Sequence, residues 1–367
     1  MSDPLVDTNE GVPEGAITLF AHAAAADVAA YRGLATGIDD FFLPENGRLD
    51  ERTRVALSRL LRALIETVEG EIRGHGARLL RGQGEVALAD ALEAEGGVFA
   101  ALSASGLLRD VELIGELIAR VRQELLATGM QVQASDEPER PSLINRFVQH
   151  PDRVLAQSAM AVLIAESRRR SMPDSGSLAQ TDLPAELHHK LVWWVAAALR
   201  AKGASVEGSR AALDRALADA AQRSLAAHDE GDRLEAAVMR LAGAIAAQPG
   251  ELAGLMTEAL GDRRVTLFAA LLAHALGVDY AAARDIAFDT TSGRLWVALR
   301  ALGFERADIA RLGVALTEAD PRRDLEAFAD LLDTIMAVDV EAARDALASL
   351  KLPSDYRAAL LALEQVP

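Results

Sequence analysis

Residues 263–286 align without a gap on residues 323–346, at an offset of 60. Arg263 meets Arg323, Phe268 meets Phe328, and Leu271-Leu272 meets Leu331-Leu332. Val278-Asp279 then meets Val338-Asp339, and Ala282 through Asp285 meets Ala342 through Asp345. With one residue of slip, Ala298-Leu299 and Leu302 match Ala359-Leu360 and Leu363. A fainter copy lies 30 residues upstream, where Arg233, Val238 and Leu241 precede Arg263, Phe268 and Leu271. The apolar spacing inside each copy is helical, which implies a helix pair about every 30 residues. A helix pair of that size cannot bury its apolar stripe alone, so neighbouring copies must stack. The expectation is a C-terminal α-solenoid of HEAT-like helix pairs over residues 233–364.

Composition extends the all-α expectation to the rest of the chain. Half of the residues are hydrophobic, only 4% are aromatic, and alanine is abundant. Alanine has the highest helix propensity and lets helices approach closely. No segment carries a strand pattern. The net charge is −17, and no long stretch is basic. A nucleic-acid binder neutralises phosphates with clustered cations, so that class is disfavoured. An anionic membrane surface would be repelled in the same way. Cysteine is absent, which removes disulfides, thiolate metal sites and cysteine nucleophiles. The first residues have neither a basic nor an apolar region of a signal peptide. The longest apolar candidate, Leu187 to Leu199, falls short of the ~20 residues of a membrane span. A cytoplasmic protein is expected.

Residues 1–13 read as a flexible tail, and an N-terminal helical bundle is expected over 14–130. Gly15 to Phe42 is alanine-rich and helical in pattern. Leu49-Asp50 opens a long helix whose end Gly70, Gly74 and Gly76 should loosen. Leu107 to Leu126 is amphipathic: Val111, Ile114, Leu117, Ile118, Val121 and Leu125 share one face. Glu112, Glu116, Arg120 and Arg122 lie largely opposite. Thr128 to Ser142 and Ser171 to Leu183 have the polar, turn-forming composition of loops. They flank a central helical segment, residues 142–228, with two helices broken at His150-Pro151. A further helix starts after Thr181-Asp182.

Motifs with chemistry are scarce. The seven histidines show no metal-ligand spacing, and no metal or other cofactor is expected. Gly82-Gln83-Gly84 lacks the third glycine and the preceding strand of a dinucleotide loop. No phosphate-binding P-loop and no nucleophile elbow occurs. His188-His189 point about 100° apart on a helix, so they cannot both grip one ion without a third partner. His188 shares an edge with Val192, Val195 and Leu199, which suits a half-buried, hydrogen-bonded role. Trp193-Trp194 must point to different sides of one helix, leaving one ring for a contact with a partner. Arg168, Arg169 and Arg170 close a helix and offer a cationic cluster to an acidic partner, or balance the helix dipole. His22 and His75 are the candidate phosphoacceptors of an alternative reading.

Leu113–Arg122, Leu143–Phe147 and Leu183–Trp194 give the chain a recognisable texture. It resembles an uncharacterised helical family of alphaproteobacterial cytosolic proteins with HEAT-like repeats. The resemblance implies helical repeats and a bacterial cytoplasm, and it carries over no catalytic residue. The sequence therefore points to a non-enzymatic protein–protein interaction scaffold or regulator. Homodimerisation, or protein partners bearing basic patches, would suit its acidic surface. The alternative is a phosphotransfer protein or small-ligand sensor built on the N-terminal bundle.

Overall fold

The structure, a computed structural model, describes residues 49–94, 96–130, 141–170, 181–203, 206–290 and 293–364. The expected tail and the helix over residues 15–42 lie outside them, as do residues 131–140 and 171–180 of the two expected loops. Contacts divide the chain into two compact units, Met1–Arg54 and Val55–Pro367. In the first unit, Asp50 accepts from the Thr53 amide at 2.8 Å and the Thr53 hydroxyl at 2.6 Å. This is an N-cap for the helix that follows.

Among the described residues every regular element is helical. The first ten α-helices are α1 (Glu51–Gly82), α2 (Val86–Glu93), α3 (Val98–Ser105), α4 (Val111–Gly129), α5 (Leu143–Val148), α6 (Arg153–Arg170), α7 (Ala185–Gly203), α8 (Arg210–Ala227), α9 (Leu234–Ile245) and α10 (Pro249–Gly261). Seven more follow: α11 (Val265–Leu276), α12 (Tyr280–Phe288), α13 (Arg294–Ala301), α14 (Arg306–Ala319), α15 (Leu325–Ala337), α16 (Val340–Ala346) and α17 (Ser354–Glu364).

One expectation is corrected. The glycines of α1 do not loosen it; the helix runs unbroken to Gly82, and Gly76 is a close-approach point beside Leu92 and Leu217. The polar face of α4 is not wholly solvated. Arg120 is only 4% exposed and Gln123 is buried with it, whereas Val111 is exposed. Both polar side chains are buried because they have buried partners, described below.

Helix starts in the C-terminal part of the chain are regularly spaced. The helices α9, α11, α13, α15 and α17 begin at Leu234, Val265, Arg294, Leu325 and Ser354, alternately 31 and 29 residues apart. The starts of α11, α12 and α13 recur 60 residues later as those of α15, α16 and α17. The shared sequence explains the shared turn: Asp279 caps α12 through the Ala282 amide, and Asp339 caps α16 through the Ala342 amide. Arg263 and Arg323 also act alike, donating to the Ala127 and Ala287 carbonyls near the ends of α4 and α12.

Two hydrophobic cores form within Val55–Pro367. The first takes residues of α1–α4 together with α7 and α8, including Leu64, Ile72, Leu117, Leu191 and Leu217. The second takes the end of α4, then α5, α6 and α9–α15, including Leu126, Ile144, Phe268, Leu299 and Leu316. The segment between residues 142 and 228 is thus shared, α5–α6 going to one core and α7–α8 to the other. Helix α11 lies at the heart of the second core, packed by α4, α9, α10 and α12. No single described helix is long and apolar enough to cross a membrane. The pair α11–α12 passes that test only together, bent by 116°, and α11 is buried inside the protein.

Helix α4 packs against α14 so closely that a Cβ on Gly129 would collide with the Ala319 carbonyl, whereas one on Gly115 would meet nothing. Gly129→Ala is expected to lower stability by about 1–3 kcal/mol through overpacking. Gly115→Ala should raise it by about 0.5–1 kcal/mol through helix propensity. Urea titration of both variants checks the pair, and equal effects would contradict this packing.

Candidate functional site

Helix α4 passes from the first core to the second, with Leu113 and Leu117 in one and Leu126 in the other. Its polar residues between them meet a buried network of charge. Arg169, near the end of α6, donates from Nε to Asp182 at 2.5 Å and from Nη2 to Glu235 at 2.7 Å. Asp182 precedes α7 in left-handed backbone, φ 54°, a conformation that Asp tolerates better than most residues. Its second oxygen accepts from the Leu234 amide at 3.2 Å, joining the start of α9. Arg120 donates to the Thr181 carbonyl at 3.3 Å and to Glu124 at 3.2 Å. Arg284 of α12 donates to Glu116 at 2.9 Å, and Arg233 lies 3.6 Å from the same carboxylate. The Tyr280 hydroxyl donates to Gln123 at 3.2 Å.

Four arginines thereby face four carboxylates, so the burial of charge is matched by pairing. Burial raises the pKa of Glu235, but Arg169 and Arg233 outweigh it and bring the carboxyl down to about 2. Burial opposes the charge on Arg169, and Glu235 and Asp182 more than offset it. Arg120 is lowered by burial and then by its neighbour Arg169. Burial, reinforced by Glu235, pushes the Tyr280 hydroxyl well above the ordinary tyrosine range. Every one of these groups is committed to a protein partner, so the network acts as a clasp between helices of the two cores.

Beside it, His188 of α7 stacks on His228 with ring centroids 4.2 Å apart and planes 18° from parallel. Thr181, whose carbonyl takes Arg120, places its hydroxyl 3.0 Å from His188 Nδ1. Burial, and then His228, bring the pKa of His188 down to about 4. His188 is more deeply buried than its sequence suggests, at 4% exposed.

The remaining sequence candidates do not converge. Trp193 is 36% exposed and donates to His189 at 3.1 Å, while Trp194 packs against the first core. Arg168 pairs with Asp232 at 2.9 Å on the surface. Arg169 points inward, which corrects its assignment to an outward cationic cluster. The Arg170 side chain and His22 lie outside the described residues. His75 is half-buried on α1. Burial, then Arg223 and Arg78, lower its pKa, with Asp219 acting the other way. Among the described residues no three His, Asp or Glu side chains group as metal donors.

A cleft of about 650 Å³ opens next to the clasp, between the end of α4 and the N-terminus of α11. Arg169, Arg263, Arg264, Thr128, Gln123 and Thr266 contribute polar groups to its wall. Arg264 forms an ion pair with Glu166 of α6. Arg263 stands in left-handed backbone at φ 61° and donates from Nε to the Ala127 carbonyl at 2.9 Å. Sequence reasoning missed both clasp and cleft, because their residues come from helices distant in the chain.

Loss of one partner leaves a buried charge uncompensated, so Arg169→Ala should cost about 3–5 kcal/mol of stability. Arg168→Ala, on an exposed pair, should change it by less than about 0.5 kcal/mol. Chemical denaturation compares them, and similar effects would contradict the clasp. His188 also sets a pH dependence. Its folded pKa lies below the ordinary 6.5, so stability is full above that pH and is lost as pH falls toward 4. His188→Gln should flatten this part of the stability–pH curve, and an unchanged slope would sink the assignment.

The family described as uncharacterised protein conserved in bacteria (DUF2336) matches residues 102–348. That span runs from α3 to the end of α16 and includes the clasp, the cleft and both copies of the repeat. No curated protein and no solved structure matches the chain.

Proposed function

We propose that this chain, which belongs to the DUF2336 family of proteins conserved in bacteria, is a non-enzymatic interaction scaffold or regulator of the bacterial cytoplasm. One observation carries this reading: the two copies of the repeat differ in how far their matching apolar residues are covered. Val265, Leu271 and Trp296 are 2%, 1% and 8% exposed. Their counterparts Leu325, Leu331 and Tyr356 are 44%, 40% and 55% exposed.

The inner copy supports a helical partner for the outer one. Trp296 is covered by Phe328, a residue of α15, with ring centroids 4.7 Å apart. By the same geometry Tyr356 and Leu331 suit a helix laid alongside. Glu326, Asp330, Asp333 and Asp345 of the same outer copy are exposed, so the matching partner is an amphipathic helix that also carries basic residues. Stacking of HEAT-like pairs into a solenoid suits such a role, since it extends surface without a reactive group. A second copy of the chain would give a homodimer through the same face.

The tagged full chain and its Leu331→Asp variant test this. Leu331 is exposed, so folding should be unaffected. A stoichiometric co-purifying helical protein, or a dimer by light scattering, is expected with the wild type and should be lost in the variant. Retention in both would refute the surface. His75 carries the second reading: burial, then Arg223 and Arg78, lower its pKa, which favours the neutral imidazole that a phosphoacceptor requires. Labelling of His75 by a phosphodonor, absent in His75→Gln, would favour that reading instead.

A further inference from the structure

The repeat shows what the cleft lacks. In the outer copy Asp324 caps α15, accepting from the Glu326 amide at 2.8 Å and the Ala327 amide at 3.1 Å. The residue aligned with Asp324 is Arg264, at the N-cap of α11, where no side chain accepts from the helix. A carboxylate that completes the helix in one copy is replaced by a cation in the other. Among the described residues the amides of Val265, Thr266 and Leu267 then have no acceptor, although these residues are 2%, 8% and 1% exposed. Unpaired amides in such surroundings are costly, and the helix dipole adds positive potential there.

Thr266 points the same way independently. Thr67, Thr128, Thr257 and Thr317 each donate their hydroxyl to the carbonyl four residues back. Thr266 lines the cleft, is 8% exposed, and its hydroxyl makes no hydrogen bond among the described residues. Arg263 spends Nε on the Ala127 carbonyl, and among the described residues neither of its terminal nitrogens has an acceptor. The carboxylates of the wall are already engaged: Glu124 with Arg120, Glu166 with Arg264, and Asp262 with the Leu143 amide.

We infer that this cleft binds a small phosphorylated molecule, its phosphate seated on the N-terminus of α11. The phosphate takes the place that Asp324 holds in the outer copy, accepting from the open amides, from the Thr266 hydroxyl and from Arg263. Backbone donors at a helix N-terminus combined with an arginine form a site of this chemistry. A volume of about 650 Å³ leaves room beyond the anion for an organic body, against Leu234, Val265 and Gln123. The site is separate from the exposed face of the outer copy.

Titration of the full chain with inorganic phosphate and with phenyl phosphate, followed by calorimetry and phosphorus NMR line width, tests the assignment. Saturable binding is expected. Thr266→Val, which keeps the shape and removes the hydroxyl, should weaken it by about tenfold. Arg264→Asn, which lets the side chain cap α11 itself, should abolish it. Thr266→Val should retain the wild-type melting curve, so that its loss of binding is not a loss of fold. Tighter binding of phenyl phosphate identifies an ester as the ligand class, and tighter binding of inorganic phosphate identifies the free anion. No saturable binding of either probe, or equal binding by Thr266→Val and the wild type, would overturn the proposal.

Discussion

Helix α11 has no polar side to give to water. Ten of its twelve residues are buried, from Val265 through Ala273 and then Leu276. A helix apolar all round is stable only when neighbours enclose it. Here α4, α9, α10 and α12 do so, and the second core grows outward from their contacts. That enclosure places both distinctive features of the fold. It brings the end of α4 against the start of α11, where the cleft lies. It also leaves the second copy of the same sequence on the outside, with its matching leucine uncovered.

The clasp answers a problem that enclosure creates. Helix α4 serves two cores, and where it passes between them its side chains are neither wholly apolar nor solvated. Apolar residues there would merge the cores; unpaired polar ones would cost several kcal/mol each. Pairing Arg120, Arg169, Arg233 and Arg284 with carboxylates from α4, α9 and the residues before α7 fixes the relative setting of those helices. Removing a single partner is expensive because it leaves a buried charge uncompensated.

Much of this fold was legible in the sequence, and the reasons for the gaps are physical. The helical content followed from alanine and from apolar spacing, and the start of α1 was read at Leu49-Asp50. The repeat at an offset of 60 is matched by three helices that begin in register. Periodicity failed at Arg120, because the spacing of polar residues does not say whether buried partners await them. It failed similarly at Arg169, where three successive arginines read as one cluster and one of them turns inward. The cleft was invisible because Thr266, Thr128 and Arg169 are joined only by folding. The exchange of Asp324 for Arg264 stood in the alignment itself, but its meaning required the amides of α11 and α15 to be seen.

One repeated sequence serves as core in its first copy and as an exposed face in its second. Hydrogen–deuterium exchange of the full chain tests this most directly, comparing residues 265–276 with 325–337. The amides in the body of α11 should exchange only through global unfolding, and those of α15 through local opening that is orders of magnitude faster. Equal, slow exchange of both helices in the isolated chain would contradict the account.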